Sequence, residues 1–111
     1  MGNVSVCLPL FNAGKSLQDA LISLGDQTYK GFTLYISDDG STDDSFKICE
    51  DFQKTTSFDL KLYKNSGLGI AGNCNFLANK AKGKYLKFLF QDDLLEPSCI
   101  ESFLSYAEKF D

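Results

Sequence analysis

The stretch FTLYISDDGSTDDSFKICEDF, Phe32 to Phe52, contains the pattern that decides the fold. Its start, Phe32 to Ser37, is rich in apolar, aromatic and β-branched residues, which is typical of a buried strand. Two adjacent acids and a glycine follow. Ser41 and Asp44 then have the spacing of a capping box that opens a helix running to about Phe52. The stretch therefore predicts a strand, a polar loop and a helix in immediate succession.

The same succession of strand and helix occurs four times along the chain. Further strands are predicted at Asn3 to Leu10, Phe58 to Tyr63 and Lys84 to Phe90, and the second of these alternates in polarity as a strand near a sheet edge does. Apolar residues at helical spacing follow each strand: Leu17, Ala20, Leu21 and Leu24, then Cys74, Leu77, Ala78 and Ala81, then Ile100, Phe103, Leu104 and Ala107. Four such units predict an α/β fold in three α/β/α layers, with a Rossmann-like, mostly parallel sheet in one domain over residues 1–111.

Polar segments follow every predicted strand: LFN, DDGSTDD, NSG and QDD. Right-handed crossovers bring the carboxyl ends of parallel strands to one edge of the sheet. In open α/β sheets, ligands bind in the crevice at that edge. We therefore expect these four loops to meet around one ligand site.

Composition excludes several classes of function. The net charge is −4 and there is neither a basic patch nor a basic tail, which argues against nucleic acid and anionic membranes as partners. The sequence contains no apolar run of transmembrane length, and its start lacks the features of a signal peptide, so we expect a cytoplasmic protein without a transmembrane segment. There is no histidine, and the four cysteines have no CxxC spacing. Zinc sites of the usual spacing and Cys–His or Ser–His nucleophiles are therefore excluded, and buried reduced thiols are expected.

The acids after the second and fourth strands are candidate ligands of a divalent metal. Mg²⁺ and Mn²⁺ prefer oxygen ligands, and Mg²⁺ commonly uses one or two carboxylates together with substrate phosphates. Adjacent side chains of an extended chain point to opposite faces, so at most one of Asp92 and Asp93 is well placed for a metal, and the other is expected to anchor the loop. The structural alternative is that Asp38 and Asp39, like Asp92 and Asp93, simply end a strand and cap a helix.

The glycine-rich segment NSGLGIAGN, residues 65–73, allows two interpretations. It completes neither a dinucleotide fingerprint nor a Walker sequence. The turn at Gly67 and Gly69 nevertheless precedes a predicted helix, whose first N–H groups could bind a phosphate. The alternative is a turn and helix start with no ligand.

Two blocks of the sequence resemble, in order and spacing, the beginning of family 2 glycosyltransferases of the GT-A type. They are VSVCLPLFNAGKSLQDALISLGDQTYKGFTLYISDDGSTDDS and NSGLGIAGNCNFLANKAKGKYLKFLFQDDLLEP, which together cover nearly the whole chain. The resemblance implies a domain that binds a nucleotide-diphosphate sugar, a UDP- or dTDP-sugar, with Mg²⁺ or Mn²⁺. It further implies inverting transfer of the sugar to a hydroxyl of a carbohydrate or lipid-linked acceptor, in bacterial surface polysaccharide assembly at the cytoplasmic face of the membrane.

The resemblance also implies roles for particular residues. The implied donor site consists of Pro9, Leu10, Phe11, Asn12, Asp39, Gly67, Gln91 and Asp92. Pro9, Phe11 and Asn12 match the segment that holds the base and ribose, and Asp39 matches the residue that hydrogen-bonds the base.

The segment FLFQDD matches a form usually written F-L-D-x-D-D. Asp92 takes the place of the second acid of D-x-D, which binds the metal on the diphosphate, and Asp93 is the extra acid, so both are implied metal ligands. Phe90 stands where the family has the first acid, and Gly72 stands where many members have arginine.

The resemblance covers only the nucleotide-binding half of such an enzyme, so we expect the domain to stop before the acceptor-binding half and its general base. Glu96 and Glu101 are predicted to lie in the first turn of the last helix, where the helix macrodipole stabilises them.

Two other classes of function stay open. One is a non-catalytic nucleotide-sugar-binding or assembly module that self-associates through an exposed apolar face. The other is a phosphotransfer or phosphatase domain, although the acids of DDGST are adjacent rather than two apart and follow the second strand rather than the first.

Overall fold

The first strand of the chain is central in a parallel sheet of four strands. The computed structural model describes residues 4–109, so the predicted strand residue Asn3 lies outside the described part. The strands are β1 (Val4–Leu10), β2 (Phe32–Asp38), β3 (Asp59–Lys64) and β4 (Tyr85–Phe88), in the order β3-β2-β1-β4. The predicted α/β class is confirmed, and β3 lies at an edge as its alternating sequence predicted.

The helices cover both faces of the sheet. They are α1 (Ser16–Gly25), α2 (Ser45–Thr55), α3 (Gly69–Lys80) and α4 (Cys99–Lys109). The larger core joins Val4, Val6, Leu8 and Leu10 of β1 to apolar side chains of α1, α2 and α4. On the opposite face, Cys7 and Tyr35 pack with Leu77 of α3. Because β1 and β2 are covered on both faces, all seven residues of each are buried, and the three-layer arrangement follows.

The predicted apolar faces are confirmed for α1 and corrected for α3. All four predicted residues of α1 are buried, and Ile100 and Leu104 are buried in α4. In α3 the buried residues are Asn73 and Leu77, whereas Ala78 is exposed. Asn73 is buried because its amide nitrogen donates to the Ser37 carbonyl at 2.9 Å, a polar contact that apolar periodicity does not detect.

Three boundary predictions are wrong for local reasons. The helix after β2 begins at Ser45, and the residue before it, Asp44, makes no side-chain cap bond, so the capping box from Ser41 does not form. β4 ends at Phe88 rather than Phe90, because the chain then turns, with the Phe90 N–H donating to Asp93 Oδ2 at 3.0 Å. Glu96 precedes α4 instead of lying in its first turn.

The four cysteines are free, with Cys7 and Cys49 buried and Cys74 and Cys99 half-buried. Burial raises the pKa of the Cys49 thiol to about 12, and the nearby charge of Asp38 acts in the same direction. Burial likewise raises the pKa of Cys7 to about 12, reinforced by Cys74. Within residues 4–109, no helix combines the length and the apolar character needed to cross a membrane.

Candidate functional site

A cleft of about 810 Å³ opens at the carboxyl ends of the strands. Its size is that of a small-molecule site. The loops after all four strands contribute to its lining, which consists of Pro9, Leu10, Phe11, Ser16, Asp39, Gly40, Ser66, Gly67, Gly69, Ile70, Asn73, Phe90, Gln91 and Asp92. The loops that were predicted to meet around one site therefore do share one cleft.

The cleft brings together most of the residues that the sequence singled out. Pro9, Leu10, Phe11, Asp39, Gly67, Gln91 and Asp92 all line it. Asn12 and Asp93 are not among the lining residues. Their side chains instead hold the loops from which the cleft is built.

Asn12 ties the loop after β1 to the loop after β2. Its backbone has a left-handed φ of 48°, a conformation that asparagine tolerates better than most residues. Its N–H donates to Ser41 Oγ at 2.9 Å, and its side-chain oxygen accepts the Thr42 N–H at 2.8 Å. The Ser41 hydroxyl in turn donates to Asp38 Oδ1. Polar residues that the sequence placed near a ligand therefore form a network between two loops.

Asp39 is buried and holds the start of α3. Its Oδ1 accepts the Leu68 N–H at 2.8 Å, and its Oδ2 accepts the Gly69 N–H at 2.9 Å. These two N–H groups belong to the end of the helix where no backbone acceptor is available and where the macrodipole favours a negative charge. The structural alternative of a helix cap is therefore realised for Asp39, at α3 rather than at α2. Each carboxylate oxygen has further acceptor capacity.

Gly40 allows the loops after β2 and β3 to approach each other at the cleft. Its φ of 89° is left-handed, and a Cβ at this position would lie 3.4 Å from the Ser66 hydroxyl oxygen. A side chain here would be strained by the left-handed backbone and would contact Ser66. Sequence reasoning did not select Gly40, although a glycine after two acids is a turn signal.

The segment from Phe90 to Asp93 turns so that the two adjacent acids have different surroundings. Asp92 is exposed and lines the cleft. Asp93 Oδ2 accepts the Phe90 N–H, and the Asp93 N–H donates to the Phe90 carbonyl at 2.9 Å. Asp92 thus lines the cleft, whereas one carboxylate oxygen of Asp93 is used within the turn. The Phe90 ring lines the cleft and stacks on Phe88, with ring centroids 6.2 Å apart.

The Gln91 side chain bonds both backbone groups of Phe11. Its Oε1 accepts the Phe11 N–H at 2.9 Å, and its Nε2 donates to the Phe11 carbonyl at 3.0 Å. The Ser16 hydroxyl also donates to the Gln91 carbonyl at 3.3 Å. Gln91 therefore connects the loop after β4 with the loop after β1.

The electrostatic character of the cleft is acidic. The lining includes Asp39 and Asp92 and, within residues 4–109, no lysine or arginine. Over the same residues, no three side chains of the His, Cys, Asp or Glu type are grouped as metal ligands. A single exposed carboxylate, Asp92, fits Mg²⁺ or Mn²⁺ only where a phosphate and waters supply the other oxygens, which is a common way for Mg²⁺ to bind.

Several lining residues were missed by the sequence reasoning. Asn73 follows Gly69 by four positions in α3, so the two residues lie on the same helix face, and this spacing could have identified Asn73. Ser16 begins α1 directly behind the loop after β1. Ser66 and Ile70 flank the predicted glycines, and no sequence pattern separates them from their neighbours.

The four-stranded parallel sheet between helix layers, with a cleft at the strand ends, is shared with GT-A glycosyltransferases such as TarS of Staphylococcus aureus. The chain belongs to the glycosyl transferase family 2, whose sequence profile matches residues 5–111. The family resemblance and the fold class inferred from the sequence are thereby confirmed.

Particular relatives show the same relationship. The chain is 31% identical over 108 residues to the glycosyltransferase GlyG of Streptococcus pneumoniae, covering 97% of this chain and 36% of that protein. An uncharacterized glycosyltransferase of Rickettsia prowazekii is 33% identical over 109 residues, which cover 97% of this chain and 33% of that protein. Residues 1–349 of Staphylococcus aureus TarS, solved in complex with UDP, superimpose with a TM-score of 0.87 at 25% identity, covering 98% of this chain and 32% of that one. The chain thus spans about a third of the length of the curated relatives that it matches.

Proposed function

We propose that the cleft binds the nucleoside diphosphate of a UDP- or dTDP-sugar together with Mg²⁺ or Mn²⁺. The observation that carries this proposal is the arrangement of Pro9, Asp39 and Asp92 around one cleft at the strand ends, in a member of a glycosyltransferase family. The complex of TarS with UDP supports the choice of nucleotide. Residues 1–111 act as one donor-binding domain.

In this proposal, Asp39 recognises the base. Its carboxylate is fixed by the two N–H groups at the start of α3, so its orientation is set before a ligand arrives. The second lone pairs of its oxygens can accept an N–H from the base. Uracil and thymine carry a hydrogen at N3 and cytosine does not, which favours UDP or dTDP over CDP. Pro9, Leu10, Phe11 and Gly67 form the surrounding wall, and Asn12 positions the loop that carries Phe11.

Asp92 holds the divalent cation in this proposal. The diphosphate brings negative charge into a cleft that already contains two acids and no lining lysine or arginine over residues 4–109. When bound, the cation neutralises charge on the leaving diphosphate as a Lewis acid. Asp93, assigned by the resemblance as a second ligand, uses one oxygen for the Phe90 N–H and steadies the turn that presents Asp92.

Transfer of the sugar requires a general base to accept the proton of the acceptor hydroxyl. Glu101 is not placed for this role, because its Oε1 accepts the Thr28 hydroxyl at 2.7 Å on the first turn of α4. We assign the base, the acceptor site and the inverting step to a part of the protein outside residues 1–111. The acceptor class we propose is a carbohydrate or a lipid-linked sugar in polysaccharide assembly.

Calorimetric titration of UDP into the 111-residue chain tests the donor site. UDP is expected to bind in the presence of Mn²⁺ and to lose its measurable affinity in chelator. Asp92→Asn should weaken binding by at least roughly tenfold, because it removes the charge opposite the cation. Asp26→Asn is the control, since Asp26 is exposed at the end of α1 and outside the cleft lining. Equal affinity for UDP in Mn²⁺ and in chelator would contradict the metal assignment.

A non-catalytic assembly module is a second candidate, favoured by exposed apolar side chains at and beside the cleft. Phe11 is 52% exposed, Phe90 41% and Leu94 68%. Exposed apolar groups close together are typical of surfaces that associate. Sedimentation velocity over a wide concentration range tests this candidate. A dimer that Phe90→Ser dissociates would support it, and a monomer at every concentration would contradict it.

A further inference from the structure

The hydrogen-bond ladder between β1 and β4 stops at a proline. The two strands pair from Val4 opposite Tyr85 to Cys7 opposite Phe88, and the Leu89 N–H donates to the Cys7 carbonyl at 2.9 Å. Along a parallel strand, the residue that next directs its backbone groups to the same neighbour lies two positions on. That residue is Pro9, which has no N–H to donate, so β1 can supply no further donor to β4 here.

Phe11, directly after β1, is the next residue whose backbone groups face the same side. The Gln91 side chain forms hydrogen bonds with both of these groups. The amide oxygen of Gln91 accepts the Phe11 N–H, and the amide nitrogen donates to the Phe11 carbonyl, at 2.9 and 3.0 Å. A glutamine amide offers the same donor and acceptor as a peptide group. Because an N–H and a carbonyl face it together, only one orientation of the amide forms both bonds. The side chain thus replaces the backbone of a strand that has already ended.

This replacement coincides with a turn of the chain directly after β4. If β4 continued, its backbone would pair with Phe11 and residues 90–93 would stay extended. Instead, the backbone turns at Phe90 and Asp93 and presents Asp92 to the cleft, while the side chain of Gln91 stays bonded to Phe11, which also lines the cleft. The Gln91 backbone is itself held by the hydroxyl of Ser16.

We propose that Gln91 is a positioning residue of the cleft, which contributes to nucleotide affinity by holding Phe11 rather than by a contact of its own with the ligand. This inference rests on the proposed binding of a nucleoside diphosphate. It refines the role of Gln91 within the donor site, since one donor and one acceptor of its amide are fixed on the Phe11 backbone.

A double-mutant cycle on UDP affinity in Mn²⁺ tests whether Gln91 acts through Phe11. Gln91→Met keeps the length of the side chain and removes both hydrogen bonds, so UDP should bind about tenfold more weakly. Phe11→Ala should also weaken binding, and the double variant should bind no more weakly than Phe11→Ala alone. Additive effects, or an unchanged affinity of Gln91→Met, would overturn the proposal.

The matched control is Gln53→Met. Gln53 also donates its amide to a backbone carbonyl, that of Leu60 at 3.0 Å, but it lies outside the cleft lining. Its loss should leave UDP affinity unchanged, which separates positioning of Phe11 from general loss of an amide bond. If Gln91→Met does not fold, Gln91→Glu takes its place in the cycle, because it keeps the acceptor for the Phe11 N–H and loses the donor to the Phe11 carbonyl.

Amide hydrogen exchange without ligand separates this inference from the proposed function. The Phe11 N–H should exchange faster in Gln91→Met than in the parent chain, and at the parent rate in Gln53→Met. If the parent chain does not bind UDP, the proposed function fails, and Phe11 exchange alone decides whether Gln91 holds this residue. Unchanged exchange at Phe11 in Gln91→Met would overturn the inference whatever the affinity.

Discussion

A single carboxylate, that of Asp39, performs a structural task that its sequence position does not indicate. Adjacent acids after a strand allowed a helix cap as the structural alternative, and the resemblance predicted a contact with a base. Asp39 accepts the N–H groups of Leu68 and Gly69 at the start of α3, which lie 29 and 30 residues away in the chain. Sequence patterns record neighbours along the chain, so a cap supplied by another element lies beyond them.

Replacement of Asp39 should therefore cost stability even without ligand. Asp39→Ala leaves two N–H groups of α3 without their charged acceptor, and we expect the free energy of unfolding to fall by about 2 kcal/mol. Urea unfolding measures this change. Asp44→Ala is the control, because Asp44 occupies the N-cap position of α2 without a side-chain cap bond, and its effect should stay within about 0.5 kcal/mol. Equal losses in the two variants would contradict the assignment.

The buried cysteines predict a loss of stability at alkaline pH. The pKa of the Cys49 thiol is about 9.0 in the unfolded chain, where the thiol is solvated, whereas burial raises it to about 12 in the folded chain. Above pH 9 the unfolded state therefore binds fewer protons than the folded state, and stability falls as pH rises toward 12. Urea midpoints between pH 9 and 11 under reducing conditions should decrease, and Cys49→Ala should flatten the decrease. An identical pH dependence in that variant would rule out Cys49 as a cause.

Among the elements, those determined by apolar pattern were predicted best. β1, β2 and the buried face of α1 follow from runs and spacings of apolar side chains. The predictions failed where polar contacts determine a boundary or a buried position. These places are the start of α2, the end of β4 and the buried Asn73 of α3. Such contacts depend on residues brought together by the fold, and local periodicity contains no information about them.

The attachment of α4 also depends on a polar residue, Gln27, which is 1% exposed. Its Oε1 accepts the Ile100 N–H at 2.9 Å, and its Nε2 donates to the Glu96 carbonyl at 2.8 Å. It also donates to the Ser23 carbonyl, so one amide joins the end of α1 to the start of α4.

Gln27→Met should detach α4 selectively. It leaves the buried Ile100 N–H without its acceptor, and we expect about 2–3 kcal/mol less free energy of unfolding. Amide exchange should rise more in α4 than in α3. Gln18→Met provides the comparison, since Gln18 is exposed on α1 and its replacement should change little. Uniform exchange across both helices in Gln27→Met would argue against a local role.

For the molecule as a whole, the parallel fold and the position of the cleft were predictable, because repeated strand–helix units place all carboxyl ends together. The identity of the lining residues was less predictable. Gly40, Ser66 and Asn73 enter the cleft through contacts between separate elements of the fold, which depend on the strand order. A single sequence contains the alternation of elements more plainly than their lateral order.

The charge of the whole molecule yields a prediction on ligand preference. With a net charge of −4 and two acids in the cleft, the phosphates of UDP meet repulsion that uridine avoids. In chelator at low ionic strength, uridine should bind at least as tightly as UDP, and in Mn²⁺ UDP should bind more tightly. Calorimetry with both ligands measures the reversal. Tighter binding of UDP than uridine in chelator would show that backbone N–H groups suffice for the phosphates.

The central place of β1 sets the time at which the cleft can form. As the chain is synthesised, β1 emerges before the other three strands, and one of its edges can pair with β2 as soon as that strand follows. Its other edge waits for β4, whose residues Tyr85–Phe88 emerge after β2 and β3. Domains fold largely as units during synthesis, and pairing between distant segments is slow. The nascent chain therefore exposes an unpaired edge of β1 and an incomplete cleft until residues 85–93 have left the ribosome. During that time a chaperone or another copy of the chain can bind the exposed edge.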